Sequence, residues 1–225
     1  MYLIHPSTIL VSGPTGSGKT KFVSDLIAHQ IIQPSPERIC WVYSEWQPLY
    51  EELSLQYSEL EFIKGIPPNL LESFSSSRRN LIVLDDQMSD TGSSKELANL
   101  FTKESHHRNI SVIYIVQNLF DKGKSMRTVS LNTQYLILFK NPRDKGQIGQ
   151  LSRQMYPNNP TFLVHCFNDA TEKRYGYLFL DLRPETEEDS RVKTDIFASD
   201  TTIIYQPLRY KMEYLRETRN FLNAN

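Results

Sequence analysis

Residues 8–20 read Thr8-Ile-Leu-Val-Ser-Gly13-Pro-Thr-Gly-Ser-Gly-Lys-Thr20. The last eight fit the pattern Gly-x-x-x-x-Gly-Lys-Ser/Thr in full. Thr8 to Val11 is a short β-rich run that stops at Ser12-Gly13. From Thr20 to Ile32 the apolar residues Phe22, Val23, Leu26, Ile27 and Ile31 recur at helical spacing. A strand, a glycine-rich turn and a helix in that order build an anion nest. Gly13, Gly16 and Gly18 let consecutive N–H groups turn inward, and the start of the helix adds the positive end of its dipole. The expected phosphate-binding set is therefore Gly13, Pro14, Thr15, Gly16, Ser17, Gly18, Lys19 and Thr20. Lys19 would set its ammonium against the β- and γ-phosphates of ATP, and the Thr20 hydroxyl would ligate Mg²⁺.

Leu81-Ile-Val-Leu84 is fully apolar, as a central parallel strand should be, and ends in Asp85-Asp86. Where such a loop binds a nucleotide, a strand beside the loop strand delivers an acid to the water shell of the metal. Asp85 fits that role, and Asp86 is placed to orient or deprotonate an attacking water. Two acids favour hydrolysis over transfer to a bound acceptor. Asp is also common where a strand gives way to a turn. Ser111 to Val116 forms a further strand ending in Gln117-Asn118. Emerging between the others, it would hold Gln117 near the γ-phosphate, although many strands simply end in polar residues.

The remaining chain alternates strand and helix. Arg38 to Tyr43, Tyr135 to Phe139 and Tyr175 to Leu180 read as strands. Gln47 to Leu60 reads as one amphipathic helix, and Lys95 to His107, Lys145 to Tyr156 and Asn159 to Ala170 as others. The alternation predicts an α/β fold: a mostly parallel sheet with helices on both faces. At Arg183 the composition turns polar, with Pro-Glu-Thr-Glu-Glu-Asp189 following. This divides the chain into an expected nucleotide-binding domain, 1–182, and a polar C-terminal extension, 183–225, with a short helix over Met212 to Leu222.

The net charge of −1 excludes a broadly basic surface, so any contact with nucleic acid must be local or contributed by several copies. No apolar run reaches the roughly 18 residues of a membrane span, and Met1 to Pro6 lacks the pattern of a signal peptide. Cys40 and Cys166 stand alone in apolar settings, so they are expected reduced, buried and intracellular.

Gly13 to Thr20, Leu81 to Asp86 and Arg108-Asn-Ile-Ser-Val-Ile-Tyr-Ile-Val-Gln117 together resemble the FtsK–HerA group of DNA-pumping ATPases. The resemblance is strongest to the viral genome-packaging ATPases of the poxvirus type, found across large DNA viruses and Polinton/Maverick and adintovirus-like elements. It covers roughly residues 7 to 182, including the tandem Asp and the late strand Tyr175 to Asp181. It implies a RecA/ASCE-like P-loop NTPase fold, an ATP-driven hexameric ring acting on double-stranded DNA, and capsid components as partners. It implies action inside the host cell, in nucleus or cytoplasm, where virions assemble. It also implies an arginine finger from the neighbouring subunit. The phosphate loop holds no Arg; Arg108 is the first choice and Arg143, in Asn141-Pro-Arg-Asp144, the second. Either also reads as a solvated surface arginine.

Lys122-Gly-Lys-Ser-Met-Arg127 reads as a short basic loop between two strands. Lys122, Lys124 and Arg127 would touch DNA phosphates in a ring's pore, or stand as a solvated loop. Trp41 and Tyr43 share one face of a core strand and read as packing. His106 and His107 read as a surface pair, since no Cys or carboxylate recurs at ligand spacing. The rival readings are a nucleoside or small-molecule kinase, a DNA pump not tied to packaging, and a nucleotide-binding scaffold without turnover. A kinase needs an acceptor site and an arginine-rich lid, and Met126 to Arg143 has too few arginines for one.

Overall fold

The computed structural model describes residues 1–57, 60–67, 69–85, 98–119, 124–197 and 202–207. Its apolar runs form one sheet of nine strands among these residues. The parallel part comprises β2 (Thr8–Ser12), β4 (Arg38–Tyr43), β5 (Leu60–Lys64), β6 (Asn80–Asp85), β7 (Ile110–Val116) and β8 (Tyr135–Phe139). Three antiparallel strands continue from β8: β9 (Tyr177–Asp181), β10 (Val192–Thr194) and β11 (Ile203–Tyr205). The order across the sheet is β11-β10-β9-β8-β2-β7-β6-β4-β5. A separate parallel pair joins β1 (Leu3–Ile4) to β3 (Ile32–Gln33).

Side chains alternate across the pleat and fill two cores. On one side, Ile9 and Val11 of β2 and Ile113 and Ile115 of β7 pack with Phe22, Val23 and Leu26 of α1 (Lys19–Ala28) and with Tyr50 and Leu53 of α2 (Pro48–Gln56). On the other, Leu10, Val112 and Tyr114 meet Leu100 and Phe101 of a helical stretch over 98–107. That face also receives α3 (Lys124–Leu131), α4 (Gly146–Met155) and α5 (Phe162–Ala170), through Val129, Ile148, Leu151, Leu163 and Cys166. The expected α/β fold with helices on both faces is what forms. Covering both faces explains why the central strands are apolar throughout; every residue of β6 and β7 is buried.

Several elements differ from the sequence expectation. The helix expected over Gln47 to Leu60 stops at Gln56, and β5 follows as an edge strand on β4, tied by Arg38 to Glu61 at 2.9 Å. β6 does not lie beside β2, because β7 runs between them. The segment 122–127 is not a loop throughout. α3 starts at Lys124, and its residues Met126 and Val129, spaced one helical turn apart, are buried in the core. The sheet continues past the boundary expected at residue 182. The polar run there encodes a charged turn, in which Arg183 grips Asp181 at 2.8 Å and Arg191 donates to the Asp181 and Arg183 carbonyls at 3.0 and 2.7 Å. The helix expected over Met212 to Leu222 falls outside the described residues. Among the described residues, no helix is long and apolar enough to cross a membrane.

Candidate nucleotide site

Parallel strands end on a common edge, and this is where open α/β sheets bind ligands. β2 delivers Gly13 there, and its N–H donates to the Val116 carbonyl at 3.2 Å, docking the loop on the end of β7. Gly16 and Gly18 hold φ of 76° and 103°, conformations that side chains resist. A Cβ at Gly13 would stand 2.6 Å from Cβ of Phe139. Lys19 is buried, and its ammonium donates to the Gly13 and Pro14 carbonyls at 2.7 and 3.0 Å. The Ser17 hydroxyl is buried without a hydrogen-bond partner, which suits a donor meant for a phosphate oxygen. The loop residues thus fit a polyphosphate.

Asp85 closes β6 and is 4% exposed. The Thr20 hydroxyl lies 3.4 Å from its Oδ2, too long for a strong hydrogen bond but close enough for one small cation to reach both oxygens. The Tyr50 hydroxyl donates to the same Oδ2 at 2.6 Å. Tyr50 is wholly buried on α2, between Trp41, Tyr43 and Phe62. Sequence reasoning missed it; the only signal was an aromatic residue inside an acidic helix. Trp41 is fully buried, as packing requires.

Gln117 follows Val116, the residue in register with Ser12, so it emerges beside Gly13. It lines a recess of about 20 Å³ with Ser12, Gly13 and Gln147. The next residue, Asn118, accepts from Gln147 at 2.7 Å, and Gln147 also donates to Asp144 at 2.7 Å. Asp86 and Lys122 lie outside the described residues. Arg108 precedes β7 at the opposite edge of the sheet, where its guanidinium donates to the Leu71 carbonyl at 3.1 Å. Arg143 is exposed on the turn after β8, at the phosphate-loop edge. Arg127 is exposed on α3, and Lys124 begins that helix. Cys40 and Cys166 are buried free thiols, both pushed up to about 12 by burial.

The same architecture occurs in the genome-packaging NTPase B204 from Sulfolobus turreted icosahedral virus 2. Its complex with sulfate matches with a TM-score of 0.50 at 14% identity, covering 91% of this chain and 98% of that one. The crystal structure of B204, the DNA-packaging ATPase from Sulfolobus Turreted Icosahedral Virus, gives 0.51 at 14% identity, covering 91% and 100%. The chain has the fold of the viral packaging NTPases. In sequence it is similar to packaging protein 1 of Murine adenovirus A serotype 1, 20% identical over 99% of this chain and 63% of that protein. Packaging protein 1 of Snake adenovirus serotype 1 is 34% identical over 65 residues, 29% of this chain and 14% of that protein. The chain spans less than two thirds of either relative. No family model matches it. The resemblance to viral packaging proteins thus extends from the motifs to the fold and to similarity along the sequence.

Proposed function

We propose that the chain is a Mg²⁺-dependent ATPase motor that drives double-stranded DNA during packaging of a viral genome. The observation that carries this is the meeting of Thr20 with Asp85, from the phosphate loop and from β6, at one edge of a packaging-NTPase fold. Gly13 to Thr20 cradles the triphosphate. Lys19 leaves the carbonyls of its own loop to pair with the β- and γ-phosphates. Thr20 and Asp85 would hold Mg²⁺, which when bound neutralises phosphate oxygens. Asp86, next in the chain, takes the proton of the attacking water. Gln117 senses the γ-phosphate from the end of β7.

Arg108 sits a full strand length from its own loop, about 20 Å at 3.3 Å per residue. It therefore acts, as finger, only on the nucleotide of a neighbouring subunit in a ring, taken as hexameric. Arg127, Lys124 and Lys122 supply the charges that bind DNA phosphates, and capsid components dock the assembled ring within the infected cell.

Phosphate release with Mg²⁺ and ATP tests this, run on four proteins. Lys19→Ala should lose ATP binding. Asp86→Asn should bind ATP yet turn over at least 100-fold more slowly, because an amide cannot accept the proton. Arg108→Ala should bind normally and lose roughly 10³-fold or more in rate. Mixing it with Lys19→Ala should restore part of the activity at interfaces that pair an intact loop with an intact Arg108. Wild-type rates in Asp86→Asn would move the proton acceptor elsewhere. Phosphoryl transfer to added nucleosides in place of phosphate release would favour the kinase.

A further inference from the structure

Beside the phosphate loop the fold opens a cleft of about 620 Å³, lined by Gly16, Gly18 and Thr20 of the loop and by Leu49, Tyr175 and Phe197. That size accommodates a small organic ligand. We propose that this cleft receives the base of a purine nucleotide, stacked on the ring of Tyr175. The inference rests on reading Gly13 to Thr20 as a triphosphate loop, with which the cleft is continuous.

Tyr175 is an unusual residue. Its φ of 62° lies in the left-handed region, which is costly for an aromatic side chain. Such outliers persist where the surroundings enforce them, and they cluster at ligand clamps. The surroundings here are a tight turn: Gly176 N–H donates to the Lys173 carbonyl at 3.0 Å, and a side chain at Gly176 would run into the Ala170 carbonyl. The turn sets the Tyr175 ring against the loop, 3.2 Å from where a Cβ on Gly18 would stand. Even so, the residue remains 54% exposed. The Arg174 guanidinium covers one face of the ring, 4.7 Å from its centroid. Arg174 lines the basic recess on the other side of Tyr175, with Lys140 and Lys173, and not the cleft. Tyr175 lines both recesses, so its ring borders the cleft as well.

The far wall is braced as well. Phe197 packs 5.0 Å from Phe22 of α1, and Ile196 N–H donates to the Tyr177 hydroxyl at 2.9 Å. Asp195 pairs with Lys173 at 2.6 Å, tying this segment to the Tyr175 turn. The polar side chains in the cleft offer little to read a base edge. Lys19 and Thr20 belong to the phosphate loop, Lys21 and Asp25 pair with each other at 2.6 Å, and the Tyr177 hydroxyl accepts from Ile196 N–H, which leaves the Gln47 amide. Stacking area therefore sets the preference, and a two-ring base covers more of Tyr175 than a one-ring base.

Calorimetric titration of the full chain with ATP, UTP and inorganic tripolyphosphate tests this. Wild type should bind ATP several-fold tighter than UTP, because a stacked base is worth about tenfold and a one-ring base forfeits only part of that. Tyr175→Ala should weaken ATP about tenfold, erase its preference over UTP and leave tripolyphosphate unchanged, whereas Tyr175→Phe should keep the preference. An ATP preference that survives Tyr175→Ala would overturn the proposal. So would an equal loss for tripolyphosphate, which would mean that Tyr175 acts only by supporting the loop. Failure of wild type to bind both ATP and tripolyphosphate would remove the triphosphate loop itself, and the base cleft with it.

Discussion

The Asp85 carboxylate, the proposed metal ligand, accepts a hydrogen bond from a tyrosine. Tyr50 donates to Oδ2 at 2.6 Å from a wholly buried position, and a buried carboxylate oxygen gains most from such a charge-assisted bond. The bond fixes the carboxylate's orientation toward Thr20. Groups that orient a metal ligand in this way are worth about 10- to 100-fold in metal affinity. Tyr50→Phe keeps the ring in its aromatic cluster and removes only the hydroxyl. The Mg²⁺ concentration for half-maximal ATPase should rise about tenfold, while ATP binding in EDTA stays unchanged. An unaltered Mg²⁺ requirement would make Tyr50 a packing residue only. The contrast between Lys19 and Tyr50 also shows what sequence carries at this scale. Lys19 was legible because its partners, the Gly13 and Pro14 carbonyls, lie within six residues and the motif fixes the spacing. Tyr50 meets Asp85 across 35 residues, a contact made by the packing of α2 on the sheet and by no local pattern.

Elements were legible where a run is apolar on both faces. β2, β6, β7 and β8 are such runs, and each was expected. β5 has one buried residue among five, and β10 and β11 have three residues each, too short to establish a period. Their place is set by neighbours already in the sheet. The opposite edge of the sheet carries its own chemistry. His5 follows β1, with Nδ1 2.7 Å from the Ser111 hydroxyl and Nε2 3.0 Å from Oδ1 of Asn109. Burial lowers its pKa below 6.5; the hydrogen bond that His5 donates to Asn109 opposes this, and the charge of Arg79 adds to the lowering. A lowered folded value means that the unfolded chain takes up the proton first. The stability His5 contributes is therefore complete above pH 6.5 and is lost as pH falls through its lower folded value. The melting temperature should drop between about pH 7.5 and 5.5. The drop should be smaller in His5→Gln, which has no proton to take up. Equal drops in both proteins would assign the acid sensitivity to other groups.

For the whole molecule, charge is the constraint. A chain with a net charge of −1 has no field to draw it to DNA, and one exposed Arg127 per copy is a weak contact. In the proposed ring, several copies would multiply that contact without any new chemistry. The same ring would let Arg108, which lies at the sheet edge away from its own phosphate loop, serve as the proposed finger. Contacts to phosphates are blind to sequence and sensitive to salt, because each neutralised phosphate releases counterions. The measurement that bears most directly on the motor is the ATPase rate against duplex DNA of arbitrary sequence, at about 50 and 200 mM salt, beside sizing of the assembly. For such a motor the expected result is a multi-subunit species whose turnover rises with any duplex, with the DNA needed for half-stimulation increasing at least tenfold at the higher salt. A monomer that hydrolyses ATP at a rate indifferent to DNA would contradict it.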